Sequence, residues 1–331
     1  MSSLVSSNHD SPLSQPSSLP EHRSRLEDGK LFVIALRCGR LANRLTLFAN
    51  FIALAEEQGD RVINVTFHSY ADLFETTRRD IYCRYPVAKQ RSWWDVIPPV
   101  AGAIRKTRAF YHATRAVGRL NERFPVLGRA AVTVRERPEY EALEGPEFQG
   151  RIKDARVVFV YGFCFRAPGS VRRHAEKIRA YFQPIEKHDL ASRRIVERLR
   201  QNADVVVGVH IRHGDYREWR HGRYFFSASR YASWMREFAE QFPGRKVAFL
   251  VCSNEPRHAG EFPELSVGFG VGSAIEDIYA LARCDYVIAP VGSFSQWASF
   301  YGNKPLFHLR DSNVSVERGK FIVSDLGEVP R

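Results

Sequence analysis

Residues 209–216 have the sequence Val-His-Ile-Arg-His-Gly-Asp-Tyr and hold the chain's strongest candidates for chemistry. They end an apolar run that is typical of a buried parallel strand. Ligands of open α/β sheets bind outside the carboxyl ends of the strands, so His210, Arg212 and Asp215 are expected to face a ligand. The Arg212 guanidinium can form paired hydrogen bonds to phosphate oxygens. A structural salt bridge between Arg212 and Asp215 is the competing interpretation.

Two further segments join a strand to a helix in the same way. Residues 37–44 have the sequence Arg-Cys-Gly-Arg-Leu-Ala-Asn-Arg, which places Asn43 in the first helical turn. Residues 291–297 have the sequence Val-Gly-Ser-Phe-Ser-Gln-Trp, which places Ser293 at the N-cap. A helix N-terminus offers free N–H groups and a positive dipole to an anion. Taken alone, each segment is better explained as an ordinary turn into a helix.

Other chemistries lack their motifs. Residues 268–273 have glycines spaced G-x-G-x-G, without the third glycine of a dinucleotide loop. No Asp-x-Asp pair, P-loop, His-Glu-x-x-His or Cys-x-x-Cys sequence occurs, and His210 and His213 do not make a convincing metal site. We therefore expect no metal and no cofactor. The five widely spaced cysteines indicate buried small side chains in a reducing compartment.

Length and composition indicate a globular protein of about two domains, with 331 residues of which 44% are hydrophobic and 26% charged. The first twenty residues contain eight Ser and three Pro and no apolar core of a signal peptide. Residues 1–29 are therefore predicted to be a disordered tail. Because no segment is long and apolar enough to span a membrane, we expect a cytoplasmic location.

The net charge of +12 is concentrated in residues 84–137, which hold twelve Arg or Lys against three acidic residues. We expect this segment to be an insertion carrying a basic helix near residues 100–121. Such a patch favours an anionic partner, either nucleic acid, a membrane surface or a phosphorylated substrate. No recognised nucleic-acid module is present, so nucleic acid is not expected. A solvated basic face with no partner is equally compatible with the charge.

Apolar runs alternating with helical patterns predict an α/β protein with parallel sheets. Expected strands are residues 31–36, 61–67, 156–163, 204–210, 246–252, 285–291 and 305–309. Expected helices are residues 41–58, 170–182, 187–201, 229–242, 273–283 and 293–302, with a capping box formed by Ser273 and Glu276. The two runs of this alternation predict a first lobe over residues 30–198 and a second over residues 199–331, facing a cleft.

Together, four segments resemble the α-1,2-fucosyltransferase family and its α-1,6- and protein O-fucosyltransferase relatives. Residues 39–44 match the family's G-R-L-G-N-Q, and residues 161–163 resemble its G-Y-W-Q-S segment. Residues 210–216 match H-x-R-R-G-D-Y. Residues 273–297 resemble the family's third segment, which begins S-x-x-x-D-L-Y and ends S-S-F-S-W-W. The sequence departs from the family at Ala42, Arg44 and His213, and it has Ser-Asn-Glu at residues 253–255 in place of S-D-D.

The resemblance implies a GT-B-like fold of two Rossmann-like lobes, a GDP-fucose donor and inversion at the fucose carbon without a required metal. It implies that Arg212 contacts the β-phosphate of GDP and that His210 lies beside the nucleotide. Asn43 would reach the diphosphate or the fucose. The implied binding set further includes Gly39, Arg40, Asp277, Ser293, Phe294 and Ser295.

Inversion also benefits from a base for the acceptor hydroxyl, and Asp215 and Glu218 are the nearest carboxylates by sequence. The favoured function is an α-1,2-fucosyltransferase of surface polysaccharide or glycolipid synthesis. Two alternatives stay open, a catalytically altered relative that only binds a nucleotide or glycan, and a transferase that uses another GDP-sugar or acceptor.

The basic segment adds a hypothesis about the acceptor. It would dock a lipid-diphosphate-linked glycan at the inner membrane face, or its apolar side would simply pack on the first lobe. The cations proposed for this role are Arg105, Lys106, Arg108, Arg115 and Arg119, and the apolar residues are Val100, Ile104, Phe110, Val117 and Leu120.

Overall fold

The computed structural model describes residues 29–87, 98–124, 128–137 and 140–328. The expected tail lies outside these ranges except for residue 29, as do residues 88–97, 125–127 and 138–139 of the basic segment. The strands are Leu31–Ile34 (β1), Arg61–Ile63 (β2), Arg84–Tyr85 (β3), Ala131–Arg135 (β4), Glu141–Ala142 (β5), Val157–Tyr161 (β6), Phe165–Arg166 (β7), Val205–Ile211 (β8), Val247–Ser253 (β9), Ser266–Phe269 (β10), Tyr286–Pro290 (β11) and Leu306–Leu309 (β12).

Ten α-helices occur within these ranges. They are Leu41–Gln58 (α1), Pro98–Lys106 (α2), Ala109–Arg123 (α3), Pro146–Ile152 (α4), Pro168–Arg173 (α5), Ala175–Tyr181 (α6), Glu186–Arg200 (α7), Ala228–Ala239 (α8), Ala274–Leu281 (α9) and Ser293–Gly302 (α10). None of these helices has the length and apolar composition needed to cross a bilayer.

Two five-stranded sheets form the lobes. The first has the order β3-β2-β1-β6-β4 and is parallel except for β3, with Phe32 level with Val62 and Val158. The second has the order β10-β9-β8-β11-β12 and is parallel throughout. Its central strand β8 is buried along its whole length, as a strand covered on both faces must be. These sheets confirm the predicted α/β class with two Rossmann-like lobes.

The lobes share one apolar base. Phe48 of α1 packs against Phe67, Tyr181 and Phe182, with ring centroids 5.4–5.7 Å apart. Phe182 then contacts Trp297 of α10 in the second lobe, with centroids 5.1 Å apart and the rings nearly perpendicular. Edge-to-face contacts of this kind add to the stabilisation from burial. The two lobes are therefore joined by packed aromatic side chains as well as by the chain.

The prediction of one basic helix near residues 100–121 is wrong, because this segment forms two helices. α2 ends at Lys106 and α3 begins at Ala109, and Arg108 between them has a φ of 57°. The Thr107 hydroxyl donates to the Ile104 carbonyl and accepts from the Ala109 N–H, at 2.7 and 3.2 Å. Local side-chain hydrogen bonds of this kind compete with the helical ladder, which explains the break.

Other expectations also differ from the structure. Residues 84–137 are not an insertion throughout, because β3 and β4 near the two ends of this segment are strands of the first sheet. The second strand ends at Ile63, and a 3-10 helix covers Val65–Ser69. The helix expected over residues 170–182 is divided into α5 and α6 at His174. The capping box of Ser273 and Glu276 does not form, because the Glu276 carboxylate lies 2.9 Å from His188 Nδ1.

Helix α7 contains the expected boundary between residues 198 and 199. It packs on α9 and on strands β8 and β9, all of the second lobe. The chain therefore passes from the first lobe to the second before Glu186.

Candidate active site

A cleft of about 1050 Å³ opens between the lobes. The first lobe contributes the loop after β1 and the N-terminus of α1, and the second contributes the ends of β8 and β11 and the N-terminus of α10. Of the expected site residues, nine line the cleft: Gly39, Arg40, Asn43, His210, Arg212, Asp215, Asp277, Ser293 and Phe294. The carboxyl ends of two sheets meet here, where ligands of open α/β sheets bind.

Arg212 lies directly after β8 and is held from two sides. Its Nη2 is 2.8 Å from Asp215 Oδ1 and 2.9 Å from Oδ2, and its guanidinium carbon is 5.5 Å from the Tyr216 ring centroid. The Tyr216 hydroxyl donates to the Val291 carbonyl at 3.0 Å, which ties this loop to the end of β11. The salt bridge considered from the sequence is therefore present, and it leaves the guanidinium at the cleft wall.

His210 is a neutral wall of the cleft. Its ring stacks on Phe294, with centroids 4.6 Å apart and planes 29° apart. Burial, together with the charge of Arg212, lowers the pKa of His210 to about 3. The imidazole therefore carries no charge at neutral pH and offers hydrogen bonds and a stacking surface to a ligand.

Asp277 is a buried carboxyl on α9 that reaches the cleft. Its Oδ1 accepts the Val271 N–H at 2.8 Å, and burial raises its pKa to about 6. A Cβ on Gly270 would lie 2.5 Å from the same oxygen, so only glycine fits beside the carboxyl. At neutral pH Asp277 is an ionised acceptor in a partly dry site.

Asn43 and Ser293 bring the N-termini of α1 and α10 together across the cleft. The Ser293 hydroxyl donates to Asn43 Oδ1. Gly39 has a φ of 60°, and a Cβ there would lie 2.0 Å from Asn43 Nδ2. The expectation that Ser293 is an N-cap is wrong, because Gly292 occupies that position and Ser293 is the first residue of the helix.

Two residues that differ from the family motifs, Arg44 and His213, are buried and lie outside the cleft lining. Arg44 Nη1 donates to the Thr66 carbonyl at 2.8 Å. His213 Nε2 donates to the Phe226 carbonyl at 2.7 Å, and its Nδ1 accepts from Arg257. Both side chains hold the loops that carry the cleft residues.

Two expected site residues do not reach the cleft lining. Glu218 is exposed outside it, and Ser295 is fully buried with its hydroxyl donating to the Gly292 carbonyl at 3.1 Å. Arg166 and Trp219 also line the cleft, although the motifs in the sequence did not predict them. Trp219 lies close after the strand-end motif, and this proximity could have identified it.

Within the described ranges, no three His, Cys, Asp or Glu side chains are grouped to hold a metal ion.

Residues 183–316 match the family model "Glycosyl transferase family 11". Nodulation protein Z of Azorhizobium caulinodans is 31% identical over 152 residues, which cover 37% of this chain and 44% of that protein. The chain therefore matches less than half the length of this relative. The resemblance to fucosyltransferases stated from the sequence is confirmed by these matches.

The fold of the chain is similar to that of a solved structure. A mutant of Arabidopsis thaliana FUT1 in complex with GDP has a TM-score of 0.51 and 13% identity, covering 91% of this chain and 76% of that chain. The fucosyltransferase NodZ from Bradyrhizobium has a TM-score of 0.48 and 17% identity, covering 86% of this chain and 97% of that chain. The similarity to the FUT1 structure confirms the predicted GT-B-like fold.

Proposed function

We propose that this chain is an inverting fucosyltransferase that moves L-fucose from GDP-fucose to a glycan hydroxyl, and that its linkage is α-1,2. The observation that carries the proposal is the placement of Arg212 in a cleft with the N-termini of α1 and α10. The family 11 match and the GDP complex of FUT1, a protein of the same fold, support a GDP-sugar donor.

The proposed chemistry follows from the charge that develops on GDP as the fucose bond breaks. Arg212 forks onto the β-phosphate, and the two helix N-termini add their positive ends. These groups are fixed before reaction, so they need little reorganisation as the charge grows. No metal ion is required in this scheme.

Asp215 is the carboxylate that we propose to accept the proton of the acceptor hydroxyl. It lines the cleft beside Arg212, whereas Glu218 does not. Asp215→Asn keeps a hydrogen-bond acceptor for Arg212 but cannot take a proton. We expect this variant to bind GDP normally and to lose at least tenfold in turnover. Full turnover would leave Asp215 only a positioning role.

The decisive experiment measures GDP release and product linkage from GDP-fucose with glycan acceptors. We expect Arg212→Lys to lower turnover at least tenfold, because a charged hydrogen bond contributes about 1.5–3 kcal/mol and lysine cannot form the fork. Activity should survive EDTA, since the sequence lacks the Asp-x-Asp pair. If Arg212→Lys kept wild-type turnover, Arg212 would not have the proposed role at the phosphate. If EDTA abolished activity and Mg²⁺ restored it, the reaction would not be metal-free. A linkage other than α-1,2 would correct only the regiochemistry.

We further propose that helix α3 docks the enzyme at the cytoplasmic face of an anionic membrane, where a lipid-linked acceptor would be presented. Val117, Leu120 and Phe124 are 47%, 55% and 55% exposed and share one side of the helix end. Arg119 and Arg123, also exposed, flank them. Each cation near an anionic surface contributes about 1 kcal/mol at low salt.

Arg105 has no part in this surface, contrary to the expectation from the sequence. It is buried, forms an ion pair with Asp72 and donates to the Asp80 carbonyl at 3.0 Å. We expect wild-type protein to float with phosphatidylglycerol vesicles at low salt, and Arg119→Gln with Arg123→Gln to abolish this. Arg236→Gln on α8 is the control. No flotation, or flotation unchanged in the double variant, would contradict the proposal.

A further inference from the structure

Arg166 is a buried cation in the wall of the cleft. Only 1% of the residue is exposed, yet it lies among the residues that line the cleft. Its Nη1 donates to the Phe163 carbonyl and, at 2.8 Å, to the Phe165 carbonyl, and its guanidinium carbon lies 4.4 Å from the Phe163 ring centroid. Its Nε is buried and has no hydrogen-bond partner. The side chain is thus fixed at one nitrogen and unsatisfied at another.

No carboxylate of the described ranges forms an ion pair with Arg166, whereas the similarly buried Arg105 pairs with Asp72. Glu136 is the carboxylate whose charge acts on it, and Glu136 Oε2 already accepts the N–H groups of Phe163 and Cys164. Burial lowers the pKa of Arg166 to about 10, so it is still charged at neutral pH. A buried charge without an anionic partner destabilises the fold, and an anion in the cleft would relieve this.

The position of Arg166 indicates which substrate brings the anion. The groups assigned to the donor lie on the second lobe, at Arg212 and Asp277, and at the meeting point of α1 and α10. Arg166 lies on β7, in the wall that the first lobe contributes to the cleft, together with Phe163 and Tyr70. A donor held by the second lobe leaves this wall to the acceptor.

Resting on the proposed function, we propose that Arg166 binds a carboxylate or phosphate group of the acceptor next to the hydroxyl that receives fucose. The acceptor is then an acidic glycan, either one that contains a uronic acid or one in which the sugar carries a phosphate. The guanidinium suits both groups because its N–H fork matches two anionic oxygens.

NMR titrations of the GDP-saturated protein with three probes test this proposal. The probes are methyl β-galactoside, methyl β-glucuronide and galactose 1-phosphate. We expect wild-type protein to bind one acidic probe at least tenfold more tightly than the neutral one. Which acidic probe binds separates uronic acid from sugar phosphate. Arg166→Gln should remove the preference and Arg166→Lys should retain part of it. Absence of any preference in the wild-type protein would overturn the proposal even if the variants fail to fold.

Arg179→Gln is the matched control, since Arg179 also donates to a carbonyl, Phe300 O at 2.9 Å, and lies over a phenyl ring, but outside this cleft. Its probe preference should match the wild type. GDP affinity separates the remaining outcomes. If Arg166→Gln weakens GDP binding tenfold, Arg166 belongs to the donor site and the proposal is wrong. If acidic probes bind but GDP-fucose is never consumed, the proposed function fails and the anion site stands.

Discussion

Asp277 and Arg212 lie in the same cleft but are held in opposite ways. Arg212 has a carboxylate partner in Asp215, so its charge is balanced before any ligand arrives. Asp277 has only backbone N–H partners, and burial raises its pKa to about 6. A carboxylate kept partly dry binds ligand N–H donors strongly, but its ionisation destabilises the folded chain. Binding and stability therefore oppose each other at this residue.

The sign of this effect can be measured with Asp277→Asn. The unfolded carboxyl titrates near 3.8, so between that value and about 6 the folded state binds the proton more tightly. The free energy of unfolding therefore falls as pH rises through this window. At roughly 1.4 kcal/mol per pKa unit, we expect Asp277→Asn to stabilise the protein by about 3 kcal/mol at pH 7.5 and to weaken GDP binding. Urea unfolding at pH 4 and 7.5 and calorimetry with GDP measure both effects.

Asp60→Asn is the control for Asp277, because burial also raises the pKa of Asp60 and that residue lies outside the cleft lining. It should alter stability with the same sign while GDP affinity stays unchanged. Equal stability of Asp277→Asn and wild type at both pH values would show that Asp277 is not held as described.

At the scale of elements, the features that depend on one segment of sequence were predicted, and those that depend on contacts between segments were not. The apolar run of β8 and the span of α1, ended by Gly59 with a φ of 74°, follow from local rules. The break at Arg108 depends on which hydrogen bond Thr107 prefers, which the helical pattern does not reveal. The position of Ser293 depends on Asn43, 250 residues away in the chain. Arg166 ends a two-residue strand, which has no sequence signal.

The conformation of the loop between β1 and α1 depends on Gly39. Gly39→Ala places a Cβ against Asn43 and forces a φ of 60° on alanine. A non-glycine residue in this region costs about 1–3 kcal/mol, and the clash displaces the Asn43 amide. We expect lower thermal stability and at least tenfold lower turnover. Differential scanning calorimetry and GDP release measure the two effects.

Gly128→Ala separates the backbone strain from the clash. Gly128 has a φ of 58°, and a Cβ there meets no atom within 4 Å. This control should lose stability but keep its turnover. If Gly39→Ala also kept full turnover, the position of Asn43 would not matter for the reaction.

At the scale of the whole molecule, the aromatic base makes the two lobes one thermodynamic unit. One hydrophobic cluster contains Phe48 and Phe182 together with Tyr279 and Trp297. The Tyr279 hydroxyl of the second lobe also donates to the Phe182 carbonyl at 2.6 Å. The cleft residues Asn43 and Ser293 lie on the two helices that this base packs together. The alignment of Asn43 and Ser293 therefore depends on the packing of this aromatic base, away from the reacting atoms.

Phe182→Ala tests this coupling. Removing a buried phenyl ring costs about 3–5 kcal/mol, and here the cavity opens where the lobes meet. We expect the wild-type protein to unfold in one calorimetric transition and the variant to be less stable with lower turnover at a temperature where it is still folded. Phe238→Ala, in the separate apolar cluster of the second lobe, should be similarly destabilised but keep its turnover at such a temperature. Two transitions in the wild-type protein, or equal turnover in both variants, would show that the lobes align independently of this base.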